Sequence, residues 1–342
     1  MKKRGYLAGL VIGIILLVGC NNLKEPAKDL ESKSGQAIQI GITFDSYMIE
    51  RWERDRDIFV SRANELGANV NVQNANGDVK KQKEQISYFI KKKVDVIVVI
   101  ATDSNRIRDK VKEAKEQGIP VIAYDRLIKE ANVDLYISFD NVMVGRMMGE
   151  AVCNSLPQGG NVVLLQGPTT DHNVEMMNEG IQDAFHGSRI TVVGSMNAKK
   201  WKPEDAFDFL EQFFKKNKVP NGIVCGNDNL AGQAVKALSM KRKAGKVVVT
   251  GQDAELEACQ RIMEGTQSMT VYKPIEKLAK KAADCAVVLA KGQKIRECKQ
   301  IDDGKYLIPY LTIKPIAVTK ENMEEVIVQG GFHLQEEIYR TS

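Results

Sequence analysis

Side chains that bind hydroxyl groups recur in this sequence at one kind of place, directly after short apolar runs. PVIAY (120–124) leads into Asp125 and Arg126, and NVVLLQ (161–166) leads into GPTTDHN, which holds Asp171 and Asn173. NGIVCG (221–226) leads into Asn227, KVVVTG (246–251) into Gln252-Asp253, and QSMTVY (267–272) into Lys273. The first run, IQIGITF (38–44), ends at Asp45, and Arg51-Trp52 opens the segment after it. A carboxylate accepts hydrogen bonds from hydroxyls, Arg and Lys donate to them, and Asn does both. A Trp face covers the apolar C–H side of a sugar ring. Any one of these residues alone is more often a helix cap or a surface charge. Asp253, at the head of a helical stretch, has the N-cap reading open to it. The set, not any member, points to the chemistry of sugar binding.

Elements of alternating type must carry these residues. β-rich runs fall at 38–44, 69–73, 94–101, 120–124, 135–139, 161–166, 190–196, 221–226, 246–251 and 267–272. Helical patterns fall between most of them, at 49–66, 80–93, 104–117, 141–156, 174–186, 203–217, 229–243, 253–264 and 274–291. In the first of these, Trp52, Phe59, Ala63 and Leu66 recur at helical spacing. Several strand cores, such as VDVIVVIA, are continuously apolar, as parallel strands covered on both faces require. The expectation is an α/β protein with parallel sheets in two doubly wound halves. In such sheets ligands bind outside the carboxyl ends of the strands, which is where the polar residues sit.

Catalytic signatures are missing. There is no GxGxxG after a strand, no GxxxxGK[ST] loop, no GxSxG elbow and no HExxH. No cofactor and no metal are expected, since no CxxC or His/Cys metal spacing occurs. His172, His186 and His333 are far apart, and His172 reads as a solvated or hydrogen-bonded side chain. Asp125, Asp171 and Asp253 include enough acids for a glycosidase pair. Arg51, Arg126 and Lys273 nearby are expected to keep them ionised and so poor proton donors. These features favour a binder over an enzyme. Beyond Cys20 the cysteines number five (Cys153, Cys225, Cys259, Cys285 and Cys298), an odd set that reads mostly as buried thiols.

The 342 residues carry a formal charge of +5 and are 43% apolar and 27% charged. Without Lys2, Lys3 and Arg4 the balance is 46 basic to 44 acidic residues. That near-neutrality carries no nucleic-acid footprint. Those three residues precede an apolar run, Tyr6 to Val18, too short to span ~30 Å of hydrocarbon but suited to a signal-peptide core. The run ends Leu17-Val18-Gly19-Cys20, like a bacterial lipobox. Residues 1–19 are therefore expected to be a signal peptide, Cys20 the lipidated first residue, and 20–37 a polar tether on the outer face of a membrane. An uncleaved short anchor, or an ordinary signal peptide with a chance Cys, remains the alternative.

Longer strings carry a resemblance. ERWERDRDIFV (50–60), VQNANGD (72–78), IPVIAYDRLI (119–128), YISFDNVMVG (136–145), GQDAEL (251–256), GTQSMTVYKPI (265–275) and GFH (331–333) resemble the periplasmic sugar-binding proteins of the ribose/galactose type. The likeness runs from about 38 to 335. It implies two Rossmann-like lobes joined by a three-segment hinge, with 38–140 and 271–308 in one lobe and 141–270 and 309–335 in the other. The closing EEIYRTS is expected to be loose. It also implies a monosaccharide ligand, D-xylose, held between lobes that close on it. Matching positions are Arg51, Trp52, Asp125, Arg126, Asp171, Asn173, Asn227, Asp253 and Lys273, with Trp201 in KKWKPEDA as an aromatic wall. The chain departs from the family pattern at MNAKK (196–200), basic where the family is aromatic and acidic, and at Asp45-Ser46, where the family has an acidic pair. The implied partner is a membrane permease of a sugar importer. A membrane sensor such as a histidine kinase is the alternative, read by the lobe surfaces.

Overall fold

A computed structural model describes residues 37–49 and 51–339. The expected leader, Cys20 and the tether up to residue 36 lie outside the described residues.

The first lobe begins with β1 (Ile38–Phe44), α1 (Arg51–Glu65), β2 (Ala68–Asn74), α2 (Val79–Lys92), β3 (Val96–Val99), α3 (Arg108–Glu116), β4 (Val121–Tyr124) and β5 (Leu135–Phe139). The second continues with α4 (Asn141–Ser155), β6 (Gly160–Gln166), α5 (His172–Phe185), β7 (Ile190–Asn197), α6 (Glu204–Lys216), β8 (Gly222–Cys225), α7 (Asp228–Met240), β9 (Val248–Gln252), α8 (Leu256–Glu264) and β10 (Met269–Tyr272). Then come α9 (Ile275–Ala290), β11 (Lys299–Asp302), β12 (Leu307–Ile313), β13 (Ile316–Val318) and α10 (Gln335–Ile338).

Two sheets result. The first has strand order β11-β12-β5-β4-β3-β1-β2, the second β13-β10-β9-β8-β6-β7. All pairings are parallel except β11 with β12 and β13 with β10. Within each sheet the first five strands run in the doubly wound order 2-1-3-4-5, which opens a crevice at the carboxyl ends of its central strands. Burial explains the apolar runs. In β3, Val96 and Val98 pack on one side with Phe59 of α1 and Leu278 of α9, while Ile97 and Val99 pack on the other with Phe89 of α2 and Val111 of α3. A strand covered on both faces has no polar side to show.

The chain passes from the first sheet to the second at Asp140, between β5 and α4. It returns at Lys273-Pro274, because β10 belongs to the second sheet while α9 packs on the first. It crosses once more at Lys314-Pro315, between β12 and β13.

The ten strands expected from the sequence are all present, and the nine helices start and stop close to the expected bounds. The sequence reading lacked β11, β12 and β13. β11 (KQID) is polar and shows no apolar alternation. β12 contains Pro309, which argues against an interior strand. Pro309 is tolerated because β12 pairs with β5 only from Tyr310 onward. Part of the closing segment expected to be loose is ordered: Gln335–Ile338 form a helical turn, and Ile338, 2% exposed, packs with Cys259, Ile262 and Met323, while residues 340–342 lie outside the described residues.

α4 and α5 approach at backbone contact, which sets the start of α5 against the cleft. An ideal Cβ on Gly145 would lie 1.8 Å from the Met177 carbonyl oxygen, and one on Gly180 would lie 1.9 Å from that of Val142. No side chain fits between the helices there. Gly145→Ala should therefore lower stability by about 1–3 kcal/mol or more, because the obstacle is backbone and cannot rotate away. A urea titration checks this; an unchanged midpoint would mean that the helices are not held this close.

Candidate functional site

The polar residues at the strand ends converge. Arg51 and Trp52 open α1, and Asp125 and Arg126 follow β4. Asp171 caps α5, accepting a hydrogen bond from the Asn173 backbone N–H at 3.0 Å, and Asn227 caps α7, accepting from Leu230 N–H at 2.9 Å. Asp253 follows β9 and Lys273 follows β10. Trp201 lies in a single 3₁₀ turn at 199–201. All ten residues singled out in the sequence line one cleft between the sheets, and each is at most 6% exposed. The side chains close on one another, so the cleft is narrow.

Ile49, Asn141, Met177 and Gln252 also line the cleft and were not singled out. Gln252 ends β9 and Asn141 follows the end of β5, so the strand-end rule covers both. Met177 lies one helical turn beyond Asn173, on the same face, and that i, i+4 relation is the signal for it.

The cleft is a charge lattice. The Arg51 guanidinium donates through Nη2 to Asp125, lies 3.4 Å from Asp55 through Nη1, and lies 3.7 Å from Asp253 Oδ1 through Nε. Lys273 Nζ sits 2.7 Å from the same Asp253 oxygen. Arg126 reaches Asp45 Oδ2 (2.7 Å) and the Ala101 carbonyl (3.0 Å) through Nη1, and Asp171 Oδ2 (2.8 Å) through Nε. Trp201 Nε1–H donates to Asp171 at 3.2 Å. Asn173 donates through Nδ2–H to Asp125 Oδ1 at 3.1 Å, and its Oδ1 accepts from Asn141 Nδ2–H at the same distance. The Arg51–Asp253, Arg126–Asp171 and Asn173–Asp125 contacts thus join the two lobes across the cleft.

Three lining residues that are not glycine hold left-handed backbone: Asp125 (φ 63°), Trp201 (φ 61°) and Asp253 (φ 99°). Such conformations persist only where the surroundings enforce them, and they gather at ligand sites. Asp253 is not the N-cap of α8 that its position allowed; that helix starts at Leu256, and the carboxylate faces Lys273 instead. Trp52 lines the cleft and also meets a cation. The Arg51 guanidinium lies 4.1 Å from its ring centroid, so the indole orders that cation as well as lining the cleft. Trp201 is seated by a close approach, since a Cβ on Gly167 would lie 2.3 Å from its ring.

The charges are set by burial against pairing. Burial raises Asp125, but Arg51, Lys273 and Arg126 outweigh it and hold this carboxyl below its usual value. In Asp171 burial, helped by Asp125, outweighs the neighbouring Arg126 and raises the carboxyl above its usual value. Asp55, beneath Arg51 and hydrogen-bonded by the Tyr124 hydroxyl, is pushed by burial up to about 6. Burial lowers both arginines, but their carboxylates more than reverse this, and both remain fully charged. His172 contacts Glu175 at 2.7 Å, as a hydrogen-bonded side chain. Among the described residues Cys153, Cys225, Cys259, Cys285 and Cys298 are free thiols, three of them buried, and no cluster of metal-ligating side chains occurs.

Some polar atoms in this lattice have no protein partner. Arg126 Nη2, Asn227 Nδ2, Trp52 Nε1 and Gln252 Oε1 are buried without a hydrogen bond. Three are donors and one is an acceptor.

Two doubly wound lobes linked by three passages of chain, with a polar cleft at the facing strand ends, describe a solute-binding protein. The chain belongs to the periplasmic binding protein family, whose domain profile matches residues 40–294. Its relatives narrow the comparison. It is 41% identical to the D-xylose-binding periplasmic protein of Haemophilus influenzae, over 90% of this chain and 94% of that one. It is 39% identical to the D-xylose-binding periplasmic protein of Escherichia coli, over 99% and 100% of the two chains. Among solved structures it is similar to an ABC transporter solute-binding protein from Clostridium phytofermentans with bound β-D-glucose. That match has a TM-score of 0.80 at 25% identity and covers 88% of this chain and 99% of the other.

Asp55 gives the cleft a pH signature. Its carboxyl ionises near 3.8 when unfolded and near 6 when folded, so the folded state holds the extra proton between those values. Stability from this group is therefore greatest at low pH and falls as the pH rises through about 6. In Asp55→Asn the decline in melting temperature from pH 4.5 to pH 7 should be shallower than in the native protein. Parallel native and variant curves would show that Asp55 is not the buried acid responsible.

Proposed function

We propose that this protein binds a monosaccharide, D-xylose, between its lobes and presents it to the permease of a membrane importer. The observation that carries this is the set of unpaired buried groups, Arg126 Nη2, Asn227 Nδ2, Trp52 Nε1 and Gln252 Oε1, around one small cleft. Leaving a buried polar group unpaired costs about 1–3 kcal/mol, so four of them around one space suit a ligand rich in both donors and acceptors. Hydroxyl groups provide both on one atom, and the Trp201 ring offers an apolar surface for C–H edges. The curated relatives named for D-xylose support that sugar over a hexose.

The ligand touches both lobes, so it binds the closed arrangement better than an open one and shifts the population toward closure. Residues near Asp140, Lys273-Pro274 and Lys314-Pro315 would act as the hinge, since there the chain leaves one sheet for the other. Lipidation at Cys20, following Leu17-Val18-Gly19, would hold the protein beside its permease. A sensor kinase as partner would use the same sugar site.

Calorimetry with D-xylose, D-ribose, L-arabinose and D-glucose tests the reading. Selective micromolar binding of D-xylose, about −8 kcal/mol, is expected. Binding of none of the four would reduce the conclusion to the family alone. Arg126→Ala should weaken xylose binding by about 2–5 kcal/mol, because it leaves Asp171 buried and uncompensated as well as removing a donor. Equal affinity in this variant would remove Arg126 from the site. Labelling cells with a radioactive fatty acid should mark the native protein and not Cys20→Ser; label on both would refute the anchor.

A further inference from the structure

We propose that Met177 is a partition that limits the size of the ligand on the α5 side of the cleft. This rests on the sugar-binding reading above and adds to it a residue that sets specificity.

A second space lies behind the cleft within the second lobe. It is a small void bounded by Met148, Leu164, Val174, Ile181 and Val224. Its polar neighbours Gln166 and Asn178 are bonded to each other, Nε2–H to Oδ1 at 2.9 Å, so the space is apolar in character. Met177 lines both this space and the charged cleft. It is 3% exposed, and its unbranched thioether is a side chain that fills irregular gaps.

The backbone carrying Met177 has no freedom to follow a smaller side chain. Its carbonyl oxygen lies where a Cβ on Gly145 would be, so α5 is already in contact with α4 at that residue. Shortening the side chain therefore opens a passage between the two spaces, since a packed site relaxes only partly after such a deletion. The space gained is apolar. It would admit an added methyl or methylene group on the ligand and would do little for an added hydroxyl.

The test compares the native protein, Met177→Ala and Met148→Ala by calorimetry. Met148 lines the rear space but not the cleft, so its loss enlarges the void without breaching the wall. The ligands are D-xylose, its mono-O-methyl ethers and 6-deoxy-D-glucose, which place one extra carbon at different edges of the ring. The native protein should discriminate against all the analogues. In Met177→Ala the preference for D-xylose over at least one of them should fall by about tenfold or more, the scale set by one methylene in a pocket. In Met148→Ala the preferences should stay as in the native protein. If Met177→Ala does not fold, Met177→Val should show the same change to a smaller degree. Unchanged preferences in the Met177 variants, or an equal relaxation in Met148→Ala, would overturn the partition while leaving sugar binding intact. Failure of the native protein to bind D-xylose or any analogue would overturn both.

Discussion

Arg51 and Arg126 are buried almost completely, and each is met by carboxylates from separate elements. Neither guanidinium can lose its charge, so each must be surrounded by acids or remain in water. Asp45, Asp55, Asp125, Asp171 and Asp253 supply that surrounding. Buried ion pairs of this kind add little net stability, because desolvation offsets most of the attraction. Their effect is on geometry. Once two guanidinium planes are fixed, the positions of the acids follow, and so do the left-handed turns at Asp125 and Asp253 that aim two of those acids inward.

The lattice also spans the lobes. Arg126 with Asp171, Arg51 with Asp253, and Asn173 with Asp125 are contacts between halves that the chain joins at three narrow passages. The side chains that line the cleft are therefore also the ones that tie one lobe to the other.

Much of this was legible in the sequence, for a definite physical reason. A doubly wound sheet must be apolar through its strands, so the polar residue at each carboxyl end is conspicuous, and Asp125, Arg126, Asn227, Asp253 and Lys273 all stand at such a step. What stayed hidden lacks that contrast. Met177 is an apolar residue on an apolar helix face and becomes part of the cleft only through the helix contact at Gly145. The strand at Leu307–Ile313 is masked by Pro309, whose missing N–H matters only on the side where β5 has not yet begun to pair. Asp171 and Asn227 cap helices and also line the cleft, so a residue that reads as an ordinary cap is at the same time part of the cleft wall.

The order of strands bears on how the chain is made. The first sheet takes β11 and β12 from residues after Lys299, and the second takes β13 from residues after Ile316. Until those segments emerge, β5 and β10 are bare edges, and Cys259 and Ile262 lack the cover that Met323, Ile327 and Ile338 give them. Neither lobe can finish before synthesis is nearly over.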